Sequence, residues 1–163
     1  MSSTSTTAWL DEQDREVAGT IREHGLYIEY VKGCACGECG EAPPFAYSVG
    51  LFGLGHPELL IFGVPPVTAA GVINHLFARV RAGADLVPGE LVVFDKWPQR
   101  IVVEEVPNAG KIVFAANRHH RRPDEDSVPV FQLTWDDVDA RFPWDDGYSV
   151  APSVQPRPGT FRP

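Results

Sequence analysis

Phe45-Ala46-Tyr47-Ser48-Val49-Gly50-Leu51-Phe52 and Leu59-Leu60-Ile61-Phe62-Gly63-Val64 are two uncharged runs separated by Gly53-Leu54-Gly55-His56-Pro57-Glu58. Their β-branched and aromatic content, with no polar alternation, reads as two buried strands. The glycines and Pro57 between them are turn formers, so the pair reads as a hairpin. Upstream, Leu26-Tyr27-Ile28-Glu29-Tyr30-Val31 is a third strand. Before it, Leu10, Val17 and Ile21 share one face of a helix over Ala8–His24, with Asp11 and Glu12 in its first turn and Gly25 as its stop. Downstream, Pro65-Pro66 opens a second helix, along which Val67, Ala70, Ile73, Asn74, Phe77 and Val80 recur at helical spacing until Gly83.

Further along, Leu91–Phe94 and Arg100–Val106 read as paired strands around Asp95-Lys96-Trp97-Pro98, and Asn108 as the cap of a short helix running to about Arg118. Arg121–Pro129 is a charged loop and Val130–Trp135 a last strand. About six strands and three helices, without βαβ alternation, predict an α+β fold with a mainly antiparallel sheet. Residues 1–7 read as a disordered leader and 8–158 as one domain, within which 33–44 form a Cys-rich loop and 136–158 an extended proline- and aromatic-rich tail. Residues 159–163 are a terminal tail.

Composition narrows the function classes. The chain has 163 residues, 44% hydrophobic and 22% charged, enough for one self-sufficient core. A net charge of −8 opposes binding to phosphate backbones and anionic lipid, so neither nucleic acid nor membrane is an expected partner. No stretch approaches the roughly 20 apolar residues that cross a bilayer, and Met1–Thr7 has no signal-peptide pattern. Three cysteines crowded between positions 34 and 39 suit metal or thiol chemistry in a reducing, cytoplasmic setting better than a disulfide framework.

Several linked motifs carry a resemblance. Tyr47-Ser48-Val49-Gly50-Leu51 is followed by His56-Pro57-Glu58-Leu59, then Asn74, then Gln132-Leu133-Thr134-Trp135-Asp136-Asp137, Pro143-Trp144 and Gln155-Pro156. Their order over roughly residues 20 to 158 resembles a bacterial family known as domain of unknown function 4262. The Cys-rich loop and Ala140-Arg141 depart from that family's pattern. The resemblance implies no particular activity.

The chemistry-bearing sets have each a functional and a bland reading. Cys34, Cys36 and Cys39 can chelate zinc with His56 as fourth ligand, or His119 or His120 in its place. Alternatively they are three reduced thiols on a loop. His56 beside Glu58 can serve as base and acid partner of a catalytic site; alternatively both satisfy backbone groups in a tight turn. Tyr47 and Ser48 point to opposite sides of their strand, so only one can join a given pocket. Asn74, on the apolar side of the second helix, is expected to be buried, tying the helix to the hairpin or lining a pocket. Trp135, Asp137, Trp144 and Gln155 can stack a flat or cationic ligand, or simply cover the core. The basic cluster Arg118, His119, His120, Arg121 and Arg122 is a solvated loop or, through its three arginines, a phosphate clasp.

The expected function is therefore a small-ligand-binding domain, enzymatic or not, with its pocket between the Tyr47–Glu58 hairpin and the second helix. The rivals are a non-catalytic interaction module and a flavin- or haem-binding split barrel.

Overall fold

In the computed structural model, residues 2–34 and 42–163 are described. Six strands form one sheet: β1 (Tyr27–Val31), β2 (Phe45–Val49), β3 (Glu58–Phe62), β4 (Leu91–Val93), β5 (Arg100–Glu105) and β6 (Val130–Trp135). Three α-helices accompany them, α1 (Ser2–His24), α2 (Pro66–Arg81) and α3 (Phe114–His119). The strand order is β1-β2-β3-β6-β5-β4. Every neighbouring pair is antiparallel except β3 and β6, which run parallel with Leu59 opposite Phe131. The α+β class and six strands are as the sequence predicts; the parallel seam refines the expectation of a mainly antiparallel sheet. Among the described residues no helix is long and apolar enough to cross a membrane.

The sheet is covered on both faces, which is why β2 and β3 are buried along their whole length and read as continuous apolar runs. On one face Ala46, Leu59 and Ile61 meet Ile73, Leu76 and Phe77 of α2. On the other, Phe45, Tyr47, Leu60 and Phe62 meet Val17 of α1 and Ala115 and Ala116 of α3. Burying each large side chain contributes about 1.5–3 kcal/mol. Over β5 and β6 the second face is covered by the C-terminal chain instead of a helix, and the inward residues there, Gln132 and Thr134, are polar and bonded.

Element ends follow from specific residues. Gly25 stops α1 at φ 84°, its N–H donating to the Ile21 carbonyl at 2.7 Å. The strand expected to run to Phe52 stops at Val49, because Gly50 turns to φ 135° and a 3-10 turn, Leu51–Leu54, follows. A Cβ on Gly50 would lie 2.8 Å from the Gly25 carbonyl oxygen, so this approach requires glycine.

Two expectations need correction. Helix α1 begins at Ser2, where a disordered leader is expected; no Gly or Pro interrupts the chain before Gly19, and Ser and Thr are only mildly poor helix formers. The helix expected from Asn108 to about Arg118 is divided into a 3-10 turn, Ala109–Lys111, and α3; the Asn108 side chain caps neither, donating instead to the Gly159 carbonyl at 3.3 Å. Within the terminal tail, residues 159–163, Phe161 packs its ring 5.4 Å from Phe45 and 5.0 Å from Phe62.

Candidate functional site

The hairpin brings Ser48 and Glu58 together but sets His56 apart. Glu58 is fully buried, and its Oε1 accepts the N–H groups of Gly50 at 3.0 Å and Phe52 at 2.7 Å. Its Oε2 accepts the Ser48 hydroxyl at 3.0 Å, and Ser48 Oγ in turn accepts the Leu59 N–H at 2.8 Å. The carboxylate thus closes the turn that ends β2, satisfying donors that the bend leaves free. His56 is committed elsewhere. Leu86 N–H donates to its Nε2 at 3.1 Å, which makes that nitrogen an acceptor and leaves Nδ1–H to donate to the Pro57 carbonyl at 2.7 Å. With both ring nitrogens engaged, His56 has no lone pair to offer a proton or a metal, and the geometry is that of the structural reading.

The imidazole beside Glu58 is His120. Its Nε2 lies 3.8 Å from Glu58 Oε1 and is buried without a hydrogen-bond partner among the described residues. Its ring meets Phe52 at 4.9 Å and His119 at 4.8 Å, both edge to face. Burial, and then the proximity of His120, hold the His119 imidazole below its ordinary value. Glu58 stands between Ser48 and His120, so the three do not form a nucleophile–base relay, in which the imidazole would contact the hydroxyl.

Tyr47 faces the other helix layer, where its hydroxyl accepts the Ala115 N–H at 2.9 Å and pins α3 to β2. Burial pushes this hydroxyl well above the ordinary tyrosine range. Asn74 is a correction: it is exposed, one step outside the buried stripe Val72, Ile73, Leu76, Phe77 and Val80. Each helical residue turns about 100° from the last, enough to carry it off that stripe. The expected pocket between hairpin and α2 is occupied by those apolar side chains.

The aromatic and acidic residues of the last third act as fasteners. Gln155, 2% exposed, accepts the Trp135 N–H at 2.9 Å through Oε1, and its Nε2 donates to the Trp135 carbonyl at 2.9 Å. The Trp135 indole N–H donates to the Phe62 carbonyl at 2.8 Å. Asp137 accepts N–H bonds from Asp139, Arg141 and Ser149 at 2.9, 2.9 and 3.0 Å, and the Ser149 hydroxyl at 3.1 Å. Burial opposes its ionisation, but these donors outweigh burial and hold the carboxyl below the usual carboxylate range. Trp144 is half exposed and stacks on Phe142 at 5.1 Å, with the Arg157 guanidinium 5.4 Å from its ring. Two of the three arginines of the expected phosphate clasp are also engaged, Arg118 with Asp14 and Arg122 with Asp126.

Of the Cys-rich loop, Cys36 and Cys39 lie outside the described residues. Cys34 forms a β-bridge with Ala42 and is disulfide-bonded. Among the described residues no group of three or more His, Cys, Asp or Glu is placed to hold a metal ion.

The residues that do frame an open cleft are ones whose spacing gives no motif. Val67, Thr68, Gly71, Val72 and His75 on α2 face Phe94, Asp95, Lys96 and Trp97 of the β4–β5 turn across about 460 Å³. Phe94 is the middle ring of a row, 5.2 Å from His75 at 65° and 5.8 Å from Trp97 at 58°. The sequence signal there is a tryptophan beside an Asp-Lys pair in a turn. A wider cleft of about 800 Å³ lies between residues 106–111 and 124–129, bordered by Lys111, Asp124, Glu125, Asp126 and Arg162.

Comparison with known proteins gives one match. Residues 20–149 match the family described as a domain of unknown function, DUF4262. No curated protein and no solved structure matches the chain. That match spans all six strands of the sheet together with α2 and α3. The chain belongs to the DUF4262 family.

Proposed function

We propose that this chain is a small-ligand-binding domain whose ligand seats between α2 and the β4–β5 turn. The observation that carries this reading is the cleft itself. Its volume, about 460 Å³, is that of a small-molecule site, and its walls combine apolar and aromatic side chains with Thr68, His75, Asp95 and Lys96. The hairpin set Ser48, His56 and Glu58 is spent on backbone groups, which weighs against the catalytic reading of that hairpin. Zinc at the Cys-rich loop does not enter this proposal, because a disulfide sulfur at Cys34 is not the thiolate that zinc takes.

A fragment library screened against the uniformly ¹⁵N-labelled chain tests it. Shifts that cluster on Val67, Thr68, His75 and Trp97 support the reading. Shifts that map to the wider cleft at 106–129, or none at all, overturn it.

A second reading, as an interaction module, has its own observation. Strand β4 ends the sheet with an unpaired edge, and Leu91 and Val93 on it are 48% and 66% exposed. An open strand edge offers backbone groups to another chain. Concentration-dependent association that a Val93→Pro variant abolishes would favour this reading.

A further inference from the structure

Gly71 lies well inside α2, in the wall of the cleft, yet nothing in the packing calls for a glycine there. Beyond the helix's own neighbouring backbone, a Cβ added at this position would meet no atom of the described residues within 4 Å. Glycine inside a helix is destabilising relative to alanine, because more backbone freedom is lost on folding. What the missing side chain does supply is a stretch of bare helix backbone opening directly on the cleft. The opposite wall is a row of tilted rings, with His75 reaching Phe94 from α2 and Trp97 continuing the row.

Resting on the ligand-binding reading above, we propose that the cleft takes a planar aromatic ring, laid against the α2 backbone at Gly71 and extending the His75–Phe94–Trp97 row. A flat ring can approach bare backbone at van der Waals distance, whereas a puckered saturated ring of the same skeleton is thicker and stands off. Tilted and offset ring pairs are also favoured beyond the area they bury, an increment that a saturated ligand does not gain. Asp95 and Lys96 line the cleft, are exposed and have no ion-pair partner among the described residues. Carrying opposite charges, they leave the rim without a net preference, so the shape of the ring is the property selected.

The test uses the full ¹⁵N-labelled chain with two probes of equal charge and carbon skeleton, 2-naphthoate and decahydro-2-naphthoate. The readouts are the Gly71 amide and the Trp97 indole N–H. Planar 2-naphthoate is expected to shift both, with a Kd at least about tenfold below that of the saturated probe. Gly71→Leu, which fills the open space, is expected to abolish those shifts and leave the rest of the spectrum in place. Gly71→Ala is expected to raise the thermal midpoint while weakening 2-naphthoate, a pairing that a purely structural glycine would not give. Equal affinity of the two probes overturns the planar-ring proposal and leaves the cleft as a ligand site. Shifts of neither reporter with either probe overturn the proposal together with the cleft on which it rests. Tight 2-naphthoate binding unaffected by Gly71→Leu overturns the placement against α2.

Discussion

Gln155 pairs with the backbone of Trp135 as another strand would, accepting its N–H and donating to its carbonyl, each at 2.9 Å. The side-chain amide has the donor and acceptor of a peptide group, so one residue can close the last rung of β6. The same Nε2 also donates to the Tyr148 hydroxyl at 2.7 Å, tying in the segment after Asp137. Gln155→Leu keeps the volume and removes every bond. Leaving buried backbone groups unpaired costs about 1–3 kcal/mol each, so urea unfolding is expected to show a loss of about 2–5 kcal/mol. A loss within the error of the wild type would mean that the segment around Trp135 is held by packing alone.

Glu58 and His56 should respond differently from catalytic partners. Glu58→Ala strips the acceptor from Gly50, Phe52 and Ser48 together, in a site with no exposure. Removing one member of a buried charged network typically costs about 3–5 kcal/mol. Glu58→Gln keeps one acceptor oxygen and the shape, so it should cost less. Chemical denaturation of both variants checks the order; equal stability of Glu58→Ala and wild type would return this carboxylate to the functional candidates.

Asp137 gives a pH dependence of definite sign. Its carboxyl lies below the ordinary carboxylate value when folded, after burial has been outweighed by the donors around it. The folded state therefore binds this proton less readily than the unfolded chain does. The stabilisation is fully present above the unfolded value, about 3.9, and is lost as pH falls through the lower folded value. The urea-midpoint difference between wild type and Asp137→Asn is expected to be constant from neutral pH to about pH 5 and to shrink below about pH 4. A gap that widens on acidification would reverse the sign assigned here.

His119 acts near neutrality in the same sense. Burial and His120 lower its affinity for a proton in the fold. Stability is thus expected to fall as pH drops through the ordinary imidazole range, near 6.5. A His119→Gln variant should lose less stability across that range than wild type. Proton NMR titration of the His119 ring, read against an unfolded reference, locates the folded value directly; a value above the reference would contradict the assignment.

The disulfide at Cys34 makes a prediction about metal. Protein purified without chelator or reductant is expected to carry no zinc by elemental analysis, since the loop then lacks that thiolate. Near-stoichiometric zinc in the oxidised protein, lost on Cys34→Ser, would place a metal site there after all.

The strands were legible because Phe45–Val49 and Leu59–Phe62 are apolar without alternation, a pattern that burial on both faces demands. Which strands would meet was not. Leu59 opposite Phe131 joins residues far apart in the chain, and no local signal encodes that pairing. Asn74 reads as buried because it neighbours Ile73 in sequence, while α2 buries the face one step away. Glu58 stands out in the motif with His56 two residues before it as the obvious imidazole neighbour, whereas the fold supplies His120 from the C-terminal end of α3. The cleft at Trp97 is not legible in the sequence, since α2 and the β4–β5 turn contribute residues of unremarkable spacing that only the fold brings face to face.

The parallel seam has a consequence for how this chain assembles. Strands β1-β2-β3 and β4-β5-β6 are each consecutive along both the chain and the sheet, so either set of three can pair within itself, although β5 reaches β6 only through the longer connection that holds α3. Joining them requires β3 and β6 to find one another across the long excursion that holds α2, and such non-local contacts form slowly. The molecule is in effect two meanders zipped along one line, crossed by the Trp135 indole reaching the Phe62 carbonyl. Loosening that line should leave two partly ordered halves rather than one uniformly softened sheet, with amide exchange rising first along β3 and β6 and last within the hairpins on either side.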